Sequence, residues 1–233
     1  MRTSCLLGWA SIASQVMTST SRTGRRRLPA GERRAEILRA ASVIAVSEGL
    51  DKLTAKRVAQ AVGVVPGLVD YHFKSADELI AAAFSHAATA DNDAVFEHAE
   101  RLDHPVDRVR QLMQAWLHED RDPVSLLWLD AWQASRRRPA LLTAVTRQMN
   151  AAQDRLAAHI EAGVARGCFR VDNAGYAAMH ILVLIDGLSP QAAMRTQIDY
   201  AEVRELITAT TERVLGLDEG VLAQAQDHGR TDT

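Results

Sequence analysis

Apolar residues recur at helical spacing along almost the whole chain. In "RRAEILRAASVIAVSEGL" the residues Ile37, Leu38, Ala41, Ile44 and Ala45 share one face of a 3.6-residue period, which predicts an amphipathic helix. Gly49 ends it as a C′ residue. A second helix is expected from Thr54, as N-cap, to Val62, with Gly63 as its stop. Ser75 and Glu78 have the S-x-x-E spacing of a capping box, which predicts a long helix to about residue 100. Pro105, Pro123 and Pro139 each suit a first helical position, opening helices that run to roughly 118, 134 and 165. "RGCFRVD" breaks the period. Asp172 is the expected cap of a helix through about 193, and a last helix covers about 199 to 215. No alternating strand pattern and no repeat of 20–50 residues interrupts this. The fold class is all-α.

The stretch "GVVPGLVDYHF", residues 63–73, has neither period. It is too short for a core helix and too irregular for a strand. With the preceding helix it reads as two short helices around a tight turn. Val58, Val62, Val64 and Val69 are apolar where crossing helices must touch, and Ala59 is small where backbones approach. Gly63 takes the left-handed turn at little steric cost, and Pro66 presets the first turn of the second helix. This is a helix-turn-helix. The second helix would lie in a DNA major groove, offering Val65, Pro66, Gly67 and Asp70 to base edges. Tyr71, His72 and Lys74 leave it at the groove wall, where a phenol, an imidazole and an ammonium suit phosphate oxygens. Thr54 and Lys56, at the start of the preceding helix, complete this face. Phe73 is expected to turn inward.

Charge strengthens the picture. The chain has 233 residues, 47% hydrophobic and 24% charged, with a net charge of only −2. From Met17 to Ala76, however, eleven Lys/Arg face five acids, a net +6, whereas residues 77–233 hold 15 Lys/Arg and 24 Asp/Glu, a net −9. A basic N-terminal module on an acidic body is the asymmetry expected when one end meets a polyanion. Arg25, Arg26 and Arg27 precede the first helix at a distance suited to an adjacent minor groove. Residues 1–30 read as a disordered basic arm, 31–76 as the DNA-binding domain, 77–217 as a helical effector-binding and dimerisation domain, and 218–233 as a flexible tail. The first sixteen residues imitate a secretion signal, but their apolar run is short and diluted, and Met17 is an alternative start. Cys5 and Cys168 share no short spacing, so neither a disulfide framework nor a zinc pattern is expected. No apolar run reaches the roughly 18 residues of a membrane span. The expected location is the cytoplasm.

Residues 33–79, "RRAEILRAASVIAVSEGLDKLTAKRVAQAVGVVPGLVDYHFKSADEL", resemble the TetR family of bacterial transcriptional regulators. The I-L-x-A-A, E-x-G, A-x-x-x-G-V and Y-H-F-x-S elements of that family are all present. "LLWLDAWQASRRRP", "ARGCFRVD" and "LVLIDGL" are similar to the C-terminal half of the choline-operon repressor type. The resemblance implies a three-helix DNA-binding domain, a larger helical ligand-binding and dimerisation domain, and repression of a palindromic operator relieved by a small molecule. Two positions depart from the family. Val65 stands where Ser or Thr is common, and Asp70 where Tyr is common, so the base preference of relatives does not carry over.

In the body, "AAMHILVLIDGL" is apolar nearly all round, so a partner subunit is the natural cover for one face. Ile181, Leu184, Ile185, Leu188, Val203, Leu206 and Ile207 are the candidate homodimer residues. Trp128 and Trp132 lie i, i+4 on one helix face. With Met113, Trp116, Met149, Met179 and His180 they are the candidate lining of an effector cavity, where an aromatic pair suits a quaternary ammonium. Core packing is the competing role for these tryptophans. No phosphate-binding glycine loop, H-E-x-x-H, G-x-S-x-G or C-x-x-C occurs, so neither an enzyme nor a cofactor is expected. Two alternatives remain at this point: a helical small-molecule-binding protein or enzyme with an incidental basic N-terminus, and an effector-free DNA organiser.

Overall fold

A computed structural model describes residues 29–195 and 198–223. The basic arm with Arg25, Arg26 and Arg27, the signal-like segment, Met17 and the end of the tail lie outside the described residues. Among the described residues there are nine α-helices and no strand. They are α1 (Ala30–Glu48), α2 (Ala55–Val62), α3 (Pro66–His72), α4 (Ala76–Glu100), α5 (Pro105–Trp116), α6 (Asp122–Ser135), α7 (Pro139–Ala165), α8 (Ala174–Ala193) and α9 (Tyr200–Leu215).

Most helix ends carry the chemistry their residues predict. Thr54 Oγ1 accepts from the Arg57 N–H at 3.1 Å and starts α2. Ser75 Oγ accepts from the Glu78 N–H at 3.1 Å, and Glu78 Oε2 accepts from the Lys74 N–H at 2.9 Å, one residue earlier than a standard capping box. Asp199 and Glu202 form a full capping box at α9. Two expectations are corrected. The cap of α8 is Asn173, not Asp172, because the Asn173 side chain accepts from the Tyr176 N–H at 2.8 Å. Pro123 is the second residue of α6, not the first.

The chain divides into two compact units. Unit 1 comprises residues up to Ala94 together with Asp120–Asn150, and unit 2 comprises Val95–Glu119 with Ala151 onward. In unit 1 the buried stripe of α1 (Ile37, Ala41, Ile44) meets Val58, Val69, Phe73, Leu79 and Phe84, and also Leu127 and Ala131 of α6. Burying each large side chain contributes about 1.5–3 kcal/mol. α6 is thus part of the same core as the helix-turn-helix. The Trp128 ring packs edge-on against Phe84 of α4, with centroids 5.0 Å apart. Asp130 Oδ2 accepts from the Leu50 N–H, 3.3 Å away, at the turn after α1. Half-buried Arg121 and buried Asp91 form a two-pronged ion pair.

In unit 2, Phe96 stacks on His159 at 5.7 Å and meets the edge of Trp116 at 5.4 Å. Val109, Leu112, Leu156, Ile160, Ile181, Val203 and Ile207 complete that core.

Candidate nucleic-acid interface

The turn between α2 and α3 is fixed by backbone geometry. Gly63 has φ 65° and ψ 41°. Its N–H reaches Gln60 O at 3.3 Å, and the Val64 N–H reaches Ala59 O at 2.9 Å, which is the Schellman pattern. Pro66 then begins α3, and the Leu68 N–H bonds Val65 O at 3.0 Å. Val65 is the N-cap and supplies no side-chain acceptor.

α3 is held from one side only. Val69 and Phe73 are fully buried, and the Arg34 guanidinium of α1 lies over the Phe73 ring, 4.7 Å from its centroid. The opposite face is open. Val65, Pro66, Gly67, Asp70, Tyr71 and Lys74 are all exposed, Val65 at 70% and Tyr71 at 74%. A Cβ added at Gly67 would meet nothing within 4 Å. His72 is half-buried, its ring edge-on to Tyr71 at 5.1 Å. Thr54 and Lys56 are exposed at the start of α2. The neighbouring Arg57 is committed to a two-pronged pair with Glu48 of α1, which holds the Glu48 carboxyl below its ordinary range. Each of the DNA-facing residues expected in α2, α3 and the α3–α4 junction is thus exposed, with the exception of half-buried His72.

The candidate effector residues are not gathered in either unit. Trp128 and Trp132, with centroids 5.8 Å apart, are partly buried against the core of unit 1, and Met149 of that unit is exposed. Met113 and Trp116 are buried in the core of unit 2, where the Thr211 hydroxyl donates to Met113 Sδ at 3.6 Å. Met179 and His180 are exposed. Unit 1 instead contains a groove of about 870 Å³ between α1, α4 and α7, lined by Leu38, Ser85, His86, Thr89, Arg147 and Gln148 among others. It escaped the sequence reading because it joins positions about 60 residues apart. Burial, reinforced by the charge of Arg39, holds the His86 imidazole below its ordinary pKa.

The candidate dimer residues divide by face. Ile181, Ile185, Val203 and Ile207 are buried inside their own chain, Leu184 and Leu188 are half-buried, and Leu206 is 50% exposed. The open apolar stripe of α8 is Tyr176, Met179 and Val183, which sequence period did not single out.

Among the described residues no helix is long and apolar enough to cross a membrane, and no group of three His, Cys, Asp or Glu side chains is placed to hold a metal. The family described as "Bacterial regulatory proteins, tetR family" matches residues 37–83, and "BetI-type transcriptional repressor, C-terminal" matches residues 105–216. Two regulators of Chromohalobacter salexigens are similar. BetI 2 is 27% identical over 188 residues, covering 78% of this chain and 88% of that one. BetI 1 is 26% identical over 206 residues, covering 86% and 95%. Among solved structures, a TetR-family regulator of Rhodococcus sp. superposes with a TM-score of 0.69 at 24% identity, covering 79% of this chain and 99% of that one. A transcriptional regulator of Saccharomonospora viridis in complex with choline gives 0.67 at 21% identity, covering 78% and 96%.

Proposed function

Because the chain belongs to the TetR family of bacterial regulatory proteins, and is therefore a transcriptional regulator, we propose that it is a homodimeric repressor that a small molecule releases from a near-palindromic operator. The observation that carries the DNA half is the open face of α3. A helix with an apolar side sealed by Val69 and Phe73, and a bare side from Val65 to Lys74, is built to be covered by something else. A major groove admits such a helix. In this reading Tyr71, His72 and Lys74 are the phosphate contacts, and exposed Asp70 accepts from a cytosine amino group.

The release half rests on α6. This helix touches the turn after α1 through Asp130 at the Leu50 N–H, and α4 through Trp128 on Phe84. A ligand that favours another placement of α6 therefore shifts α1 and α4, and with them α3. Only differential affinity for the two arrangements changes DNA affinity. The effector proposed for testing is a quaternary ammonium of the choline class, held at the Trp128–Trp132 pair by cation–π attraction. The repressor acts on the bacterial chromosome, in the cytoplasm. Its dimer forms through α8 and α9, where Tyr176, Met179, Val183 and Leu206 are open apolar side chains.

The test is a pair of titrations of a duplex selected from a random pool by the full-length protein, with and without choline. Weaker binding in choline, abolished by Trp132→Ala in a variant with an unchanged melt, is the expected result. A choline effect that Trp132→Ala and Trp128→Ala both leave intact places the pocket elsewhere.

A further inference from the structure

Beyond the helix-turn-helix, the turn between α6 and α7 carries the longest run of basic residues in the described body. Arg136, Arg137 and Arg138 fill the gap between Ser135, the last residue of α6, and Pro139, the first of α7. The turn is shaped by the Arg137 N–H on Ala134 O at 3.1 Å and the Arg138 N–H on Ser135 O at 3.2 Å. With Asp77, Gln133 and Ala134 the three arginines line a cleft of about 530 Å³. Asp77 is the only acid there, and Arg138 pairs with it. Arg136 and Arg137 are exposed and have no ion-pair partner among the described residues. A cation at a helix C-terminus is itself favourable, which accounts for Arg136 but not for a run of three.

Position supplies the partner. Asp77 is the second residue of α4 and stands three residues after Lys74, so the chain alone keeps their Cα atoms within about 11 Å. Arg138 thus staples the basic turn beside the α3–α4 junction, the point that carries Tyr71, His72 and Lys74. Arg34 reaches the same junction from α1, over Phe73. The guanidinium fork matches phosphate oxygens in a two-pronged geometry. A basic surface beside Lys74 lies within reach of the backbone of the same duplex.

We propose that the Arg136–Arg138 turn is a second DNA-backbone contact, in which Arg136 and Arg137 take phosphates flanking each operator half-site while Arg138 holds the turn against Asp77. This rests on α3 being the recognition helix. It extends the footprint beyond the helix-turn-helix and places a phosphate contact on the end of α6.

The test uses the full chain and the pool-selected duplex in two lengths, the half-sites alone and the same sequence with six further base pairs at each end. Arg136→Gln/Arg137→Gln is compared with wild type and with Arg136→Lys/Arg137→Lys. On the long duplex the glutamine variant is expected to lower the slope of log affinity against log salt by about two units per bound protomer. The lysine variant restores much of it, and on the short duplex the variants converge. Equal slopes for wild type and the glutamine variant on the long duplex overturn the proposal, as does a deficit that survives trimming. A wild type that retains no duplex from the pool defeats the recognition-helix reading itself, which separates that failure from this one.

Discussion

Two residues at the start of α3 make poor sense as parts of an isolated helix. Val65 occupies the N-cap with no oxygen to offer and is 70% exposed. Gly67 has no left-handed backbone to require it, and a methyl group there would touch nothing. Both fit a surface against which another molecule must close. Val65→Ser is expected to stabilise the protein by about 1 kcal/mol through the missing cap. Gly67→Ala should add up to about 1 kcal/mol, raising the melting temperature by a few degrees, yet weaken binding to the selected duplex, because the methyl intrudes where the backbone approaches DNA. A melt and a DNA titration on each variant decide this. A Gly67→Ala protein that is more stable and binds equally well removes Gly67 from the interface. At this scale the sequence was readable where one residue has one use. Gly63 stops α2 in the left-handed region, and Phe73 turns inward. It was less readable at "DN" in 172–173, where either side chain can cap and Asn173 does.

Helices with a clear stripe were legible as elements, and their neighbours were not. α1, α2, α4 and α9 fall where periodicity and caps placed them. α8 is different. Its apolar character runs nearly all round, so period alone could not say which face meets its own chain. Ile181 and Ile185 turned out to face inward, and Val183 is 61% exposed. The dimer prediction therefore moves to the open stripe. Val183→Arg should yield monomers in sedimentation while changing stability by no more than about 0.5 kcal/mol relative to the isolated subunit, since the side chain is at the surface. Operator affinity should collapse with dimerisation, because a two-fold operator is read by two heads together. An arginine variant that remains dimeric assigns the interface to another face. Ile185→Arg is the contrasting case, expected to unfold unit 2 by burying an unpaired charge.

At the scale of the whole molecule, the tie from α6 to the turn after α1 was the least legible feature. Asp130 and Leu50 are 80 residues apart, and no local pattern announces such a pairing. The same holds for the burial of His86 and His159. Burial lowers the pKa of both; Arg39 adds to this at His86, and at His159 Arg108 and Arg155 push down while Glu100 opposes. Both rings are thus neutral in the folded chain at pH 7 and take up protons more readily once unfolded. Their contribution is present above the unfolded pKa of about 6.5 and is lost as pH falls below it. The melting temperature should drop between pH 7.5 and pH 5.5, and His86→Gln/His159→Gln should flatten that dependence; an unchanged slope in the double variant assigns the acid sensitivity to other groups. The claim on which everything else depends is that α3 reads a two-fold operator from a phosphate clamp at Tyr71–Lys74. Its most direct measurement is the salt dependence of binding to the selected palindrome and to its scrambled duplex, for wild type and Lys74→Ala. Wild type should prefer the palindrome by about a thousandfold or more, and Lys74→Ala should weaken both duplexes together and lower the salt slope by about one unit per protomer. Equal affinity of wild type for palindrome and scramble, or a Lys74→Ala slope identical to wild type, contradicts the account.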